Sequence, residues 1–341
     1  MILLTVFLLF LAIPVRADTT APTVPDSGRD YFPKTQDSFG AGLREVLKNA
    51  LPDLAPDFSQ AMAGALGVLA AAMLTGVLSA VAEDKSPVME LGGVVAVGVL
   101  MLSPARNSIR QGVACVEELT EYGRLLLPVM TSAMAAQGGV TAATALYAGT
   151  AVFTALLSTV ISKFVVPMVY LFLALSVANG ACGNLDKLRD LLKWLISWCL
   201  KALMMGFSAY MGITGVLSGS VDAAALKATK LAIGGMVPVV GGMLSDASET
   251  VLVSAGLVKN AAGVYGLLAV LAVWIGPFLH MGTQYLVWKG ATALCGLFAP
   301  KRLTGVVSDF STAMGLLLAM LGTVCLFWLV STVCFLKGVG G

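Results

Sequence analysis

Two lysines, two carboxylates and two glycine pairs gather in one stretch of the chain. Lys227 and Lys230 stand three apart ahead of the apolar run GGMVPVVGG, and Asp246 and Glu249 stand three apart behind it. Charge near hydrocarbon is costly, so ionisable groups flanking such a run are pathway groups by default. Gly234 and Gly235 on one side, and Gly241 and Gly242 on the other, bracket Pro238. Proline removes a backbone donor and glycine loosens a helix, so a continuous helix is disfavoured here. The run is also too short to cross a bilayer as a helix. It reads as a re-entrant hairpin or broken helix, buried in protein or lining a water-filled cavity. The other reading is a solvated connecting loop between two ordinary amphipathic pieces.

Elsewhere the reactive side chains are sparse. His280 is the only histidine. A histidine zinc site or a Ser-His-Asp triad has only this residue to draw on. It reads as a helix-packing donor more readily than as a proton relay. Cys115, Cys182, Cys199, Cys295, Cys325 and Cys334 form no C-x-x-C pair and read as small residues of membrane helices. The sequence holds no G-x-x-x-x-G-K-[ST], H-E-x-x-H or G-x-S-x-G, so energy from ATP would have to come from a partner. No catalytic, cofactor or metal residues are expected, and the chain is expected not to be an enzyme. A formal charge of +2 gives no basic footprint for nucleic acid.

The elements that position these residues follow from composition. Of 341 residues, 12% are charged and 58% hydrophobic, and the mean hydropathy is +0.90. A soluble domain of this size could not hide so much apolar surface, so lipid is the solvent for much of the chain. The expected fold is all-α: a polytopic helical membrane protein with interfacial amphipathic helices and the broken element above. Seven stretches are candidate spans: 60–82, 88–103, 140–162, 164–182, 202–221, 261–288 and 313–336. Only Lys163 separates the third from the fourth, which suggests a tight hairpin. Gly64 with Gly67, and Gly212 with Gly215, mark contact faces where backbones could approach.

Three further regions are amphipathic or polar. Residues 2–15 are an apolar run of signal-peptide type, so 1–17 is read as a signal peptide or short anchor. Residues 18–59 form a polar translocated segment: 18–37 an extended, mobile linker, 38–51 a short helix with Phe39, Leu43, Val46, Leu47 and Ala50 on one side. That helix either rests on the membrane surface or meets a partner. Residues 60–341 are the multi-span membrane domain. Within it, 184–201 reads as an interfacial helix anchored by Trp194 and Trp198, four apart. A second charged stretch, 106–124, reads as a helix outside the lipid core.

Lysine and arginine placement orients the whole. Segment 184–201 and the cluster Lys289, Lys301, Arg302 should both be cytoplasmic, with 222–260 outside. If residue 18 is outside and 184 inside, the crossings between them must be odd in number, yet four candidates lie there. Residues 88–103 are the weakest and are read as re-entrant or interfacial.

At the Gly-Pro segment the chain resembles a known family. Leu226-Lys227-Ala228-Thr229-Lys230, then Val237-Pro238-Val239-Val240-Gly241-Gly242, Ser245-Asp246-Ala247 with Thr250, and Lys259-Asn260-Ala261-Ala262-Gly263 are similar to stage III sporulation protein AE, a polytopic membrane protein of endospore-forming bacteria. The similarity runs from about residue 60 to the C-terminus. The resemblance implies a role in the complex that links the mother cell to the engulfed forespore, described as a secretion-like channel or feeding apparatus. It implies partners as well: an ATPase and ring-forming subunits, within the mother-cell membrane around the forespore. It carries over no catalytic residues. The alternative expectation is a stand-alone secondary transporter or permease for a small solute.

Overall fold

Ser38 begins the first long helix: its side chain accepts from the Ala41 amide at 3.3 Å, a standard N-cap. The structure, a computed structural model, describes residues 22–34, 38–81, 86–136, 139–213 and 261–337. Its helices are α1 (Asp26–Arg29), α2 (Phe39–Ala50), α3 (Leu54–Val81), α4 (Ser86–Ala136), α5 (Val140–Val160), α6 (Val166–Cys182), α7 (Asp186–Ile213), α8 (Ala261–Phe298) and α9 (Lys301–Lys337). No strand occurs among the described residues, and six helical runs are long and apolar enough to span a membrane. The expected all-α, polytopic fold is the observed one.

The antiparallel pair α8 and α9 forms the centre. In each, 78% of the most apolar stretch is buried, against 28% in the other four spans. A helix apolar all round belongs in a core or a membrane, and α8 satisfies this with Leu268, Val270, Ala272 and Val273 all fully buried on successive faces. Around the pair stand α3 and α4, which pack on α8, and α4, α6 and α7, which pack on α9. Aromatic rings fill the contacts: Trp288 meets Phe310 edge-on at 4.6 Å, and Phe207 meets Phe327 at 4.4 Å.

The membrane segments differ from expectation in three ways. First, 140–162 and 164–182 are not a hairpin but one helical run of 43 residues, Val140–Cys182, passing through a π turn at Ile161–Val165. A lone lysine supplies no turn chemistry. Pro167 follows after Val166, and the wider π turn takes up the ring that would clash with an ordinary preceding turn. Second, 88–103 is not re-entrant. It is the first part of α4, a helix of 51 residues that continues straight into the charged stretch 106–124. Third, the parity conflict therefore resolves elsewhere. Three helical runs lie between residues 54 and 182, because two expected spans are fused and the weak one is kept.

Arg189 and Arg302, one from each positive cluster, lie at the same end of the bundle. Arg302 reaches the Ala181 carbonyl at 3.4 Å and Glu90 at 3.8 Å. Arg189 bonds Asp309 at 3.0 Å, and Asp309 also accepts from Ser176 at 2.8 Å. Thus α6, α7 and α9 are tied together just inside that end. The turn from α6 into α7 requires Gly183, whose φ of 78° is left-handed. Asn179 completes it, accepting from the Leu185 amide and donating to Asp186, each at 2.8 Å.

The amphipathic segments also settle differently. Residues 184–201 do not form a separate interfacial helix, since α7 runs on through residue 213. Its inner stripe is Leu192, Ile196, Leu200, Leu203, Phe207 and Met211, all buried. Leu188 and Leu191 are exposed together with Trp194 and Trp198. In α2 the buried side chains are Phe39, Val46 and Ala50, but their cover is α8: a Cβ on Gly42 would lie 2.5 Å from Leu268 Cδ1. Residues 22–34 are packed rather than extended. Gly28 sits against the α8 backbone, where a Cβ would come within 2.8 Å of the Val273 nitrogen, and Phe32 meets Tyr265 at 4.9 Å. Ser27 donates to Glu118, and Tyr31 to Asp53 at 2.6 Å. Burial, then the neighbouring Asp53 carboxylate, push the Tyr31 phenol above its ordinary range, so it stays a neutral donor.

Candidate functional site

The residues first singled out lie outside the described part of the chain. Lys227, Lys230, Gly234, Gly235, Pro238, Gly241, Gly242, Asp246 and Glu249 all fall in 214–260. Of the expected contact glycines, a Cβ on Gly64 would lie 3.7 Å from Trp288, Gly67 and Gly212 face nothing within 4 Å, and Gly215 lies outside the described residues. Trp194 and Trp198 point outward with rings stacked at 6.2 Å.

The structure assembles a different constellation, around His280. Three helices each contribute a stripe at helical spacing to one cavity of about 280 Å³. From α3 come Gln60 and Gly64, from α8 come His280, Gln284 and Trp288, and from α4 come Ser103, Asn107 and Gln111 with Ser108 and Arg110 beside them. Two prolines sit inside these helices, Pro104 in the cavity lining and Pro277 three residues before His280. Pro104 lines the cavity and, lacking an N–H, leaves the Leu100 carbonyl without its helical partner. Pro277 does the same to Val273 one turn before His280, and the Cys115 thiol approaches that carbonyl at 4.0 Å.

Donor and acceptor roles follow from chemistry. His280 Nδ1 lies 2.8 Å from Asp57 Oδ1. An ionised carboxylate only accepts, so in this pair Nδ1 is the donor. His280 lines the cavity and Asp57 does not. Trp288 Nε1 can only donate, so the Gln284 atom at 2.9 Å is its oxygen, and the amide nitrogen is left over. Among the described residues, Arg110 is the one Lys, Arg, Asp or Glu in the lining. No salt bridge forms to it among the described residues. Nor do those residues hold a group of three metal-ligating side chains.

The sequence carries a signal for this site that belongs to no motif. Ser103, Asn107 and Gln111 repeat every four residues, as do His280, Gln284 and Trp288. Either stripe alone reads as an ordinary polar helix face. Asp57 was assigned to the polar segment, whereas it lies in the first turn of α3.

Long apolar helices packed around a buried pair, with a polar cleft between three of them, make this a multi-pass helical membrane protein. The profile described as stage III sporulation protein AE matches residues 35–338, and the chain belongs to that family. Stage III sporulation protein AE of Bacillus subtilis (strain 168) is 23% identical over 201 residues, which is 58% of this chain and 50% of that protein. The match thus spans half the length of that relative. No solved structure matches the chain.

Proposed function

We propose that the protein is a membrane component of a sporulation-specific complex between mother cell and forespore, acting as platform or conduit rather than as an enzyme. The observation that carries this reading is the family match over 35–338, which takes in all six apolar helical runs. The layered architecture supports it. A buried central pair gives rigidity, and the outer helices leave large apolar side chains such as Leu74, Val99, Leu156 and Leu171 free to meet lipid or other subunits. The partners in this reading are an ATPase and ring-forming subunits, and the site of action is the mother-cell membrane around the forespore. Recovery of those partners with the tagged protein from sporulating cells, and restored ATPase coupling on reconstitution, is the expected result.

A second reading, a stand-alone transporter for a small solute, draws on the polar cleft at His280, because polar groups between membrane helices mark substrate pathways. Solute uptake by liposomes holding only the purified protein would favour it over the first.

A further inference from the structure

The cleft at Arg110 sits where α4 leaves its apolar surroundings. On α3, large apolar side chains are exposed at Phe58 and then from Leu66 to Val81, and on antiparallel α4 from Val88 to Leu102. At 1.5 Å per residue each band is roughly 22 Å long. Beyond Leu102 the next large exposed apolar side chain on α4 is Leu125. Ser103, the next residue, is the first polar group of the cleft. On α4 the cleft therefore opens at the edge of a lipid-facing band, where headgroups would lie.

Its chemistry is that of an anion site. Among the described residues, the one Lys, Arg, Asp or Glu in the lining is Arg110, whose guanidinium is exposed and forms no salt bridge. Guanidinium presents a planar fork of donors matched to phosphate oxygens. Asn107 and Gln111 lie on the same stretch of α4, and the Gln284 amide nitrogen is left over by the Trp288 bond. Side chains lean toward the N-terminus of their helix, which on α4 is the direction of the apolar band. The Asp57 carboxylate is engaged by His280 and is not in the lining.

We infer that this cleft binds a phosphate group through Arg110, with amide donors from Asn107, Gln111 and Gln284. The phosphate would belong either to a phospholipid headgroup, whose acyl chains lie along the α3–α4 band, or to a soluble phosphate.

The test uses the full chain purified in detergent. Phosphatidylglycerol retention is counted by native mass spectrometry, and thermal stabilisation is measured on adding phosphatidylglycerol or inorganic phosphate. Arg110→Gln should weaken binding at least tenfold. Arg110→Lys, which keeps the charge but loses the fork, should fall between. Arg106→Gln, one turn away and outside the lining, should stay within twofold of the parent. Stabilisation by phosphatidylglycerol alone assigns the headgroup, and stabilisation by inorganic phosphate assigns a soluble ligand. Equal binding by the parent and Arg110→Gln, with both folded by circular dichroism, overturns the proposal. So does an equal loss from Arg106→Gln, which would mean diffuse attraction rather than a site.

Discussion

Asp309 shows what a single side chain can hold together. It is 13% exposed, on α9, and accepts from Arg189 of α7 and Ser176 of α6. Burying a carboxylate is tolerable only while its donors remain. Arg189→Leu should thus destabilise the protein by roughly 3 kcal/mol, the low end for breaking a buried pair because Arg189 keeps some solvent contact. The double variant Arg189→Leu with Asp309→Leu should be more stable than Arg189→Leu alone, since no orphaned charge remains. Denaturant unfolding in detergent micelles measures both. If the double variant were the less stable, the ion pair would not be what ties the three helices together.

Among the elements, the decisive feature is how closely backbones approach. A Cβ on Gly76 of α3 would lie 2.3 Å from the carbonyl oxygen of Phe298 at the end of α8. Backbone cannot swing aside as a side chain can, so Gly76→Ala should push α3 off α8 at a cost of about 1–3 kcal/mol. At Gly67 a Cβ meets nothing within 4 Å, and Gly67→Ala should be neutral or stabilising by up to about 1 kcal/mol through helix propensity. Melting temperatures of the two variants in the same detergent make the comparison. Composition had marked glycine-rich spans but could not separate these positions, because which glycine faces backbone depends on the neighbouring helix. The same limit applied to α2. Its period was legible in Phe39, Val46 and Ala50, but its cover, Leu268, is more than two hundred residues away. The π turn at Ile161–Val165 was hidden for another reason: proline before an apolar run resembles a break as much as a bulge. The cleft was half legible, as stripes on α4 and α8 whose convergence only the packing reveals.

For the whole molecule, the number of crossings fixes which ends share a side. Three helical runs between residues 54 and 182 place the start of α3 and the start of α7 at opposite ends. Cysteines introduced at Lys34 and Lys187 should therefore be labelled by an impermeant maleimide from opposite sides of the membrane. Cysteines at Lys187 and Lys301 should be labelled from the same side, given the contacts of Arg189 with Asp309 and of Arg302 with Ala181. Labelling of positions 34 and 187 from one side would contradict this arrangement of α3 to α6. The side shared by Lys187 and Lys301 should be the cytoplasmic one by the positive-inside rule.

The native thiols add a kinetic consequence. Cys182 is exposed and Cys199 half-buried, whereas Cys115, Cys295, Cys325 and Cys334 are shut inside the helical core. A reagent can reach the last four only when the surrounding helices part for a moment, so their modification rates report the free energy of that opening. Four of these six sulfurs are thus built-in clocks for local unfolding. Cys295 times the half of α8 near the positive end, while Cys325 and Cys334 time the far half of α9. A partner that clamps the bundle should slow these clocks while leaving the reaction of Cys182 unchanged.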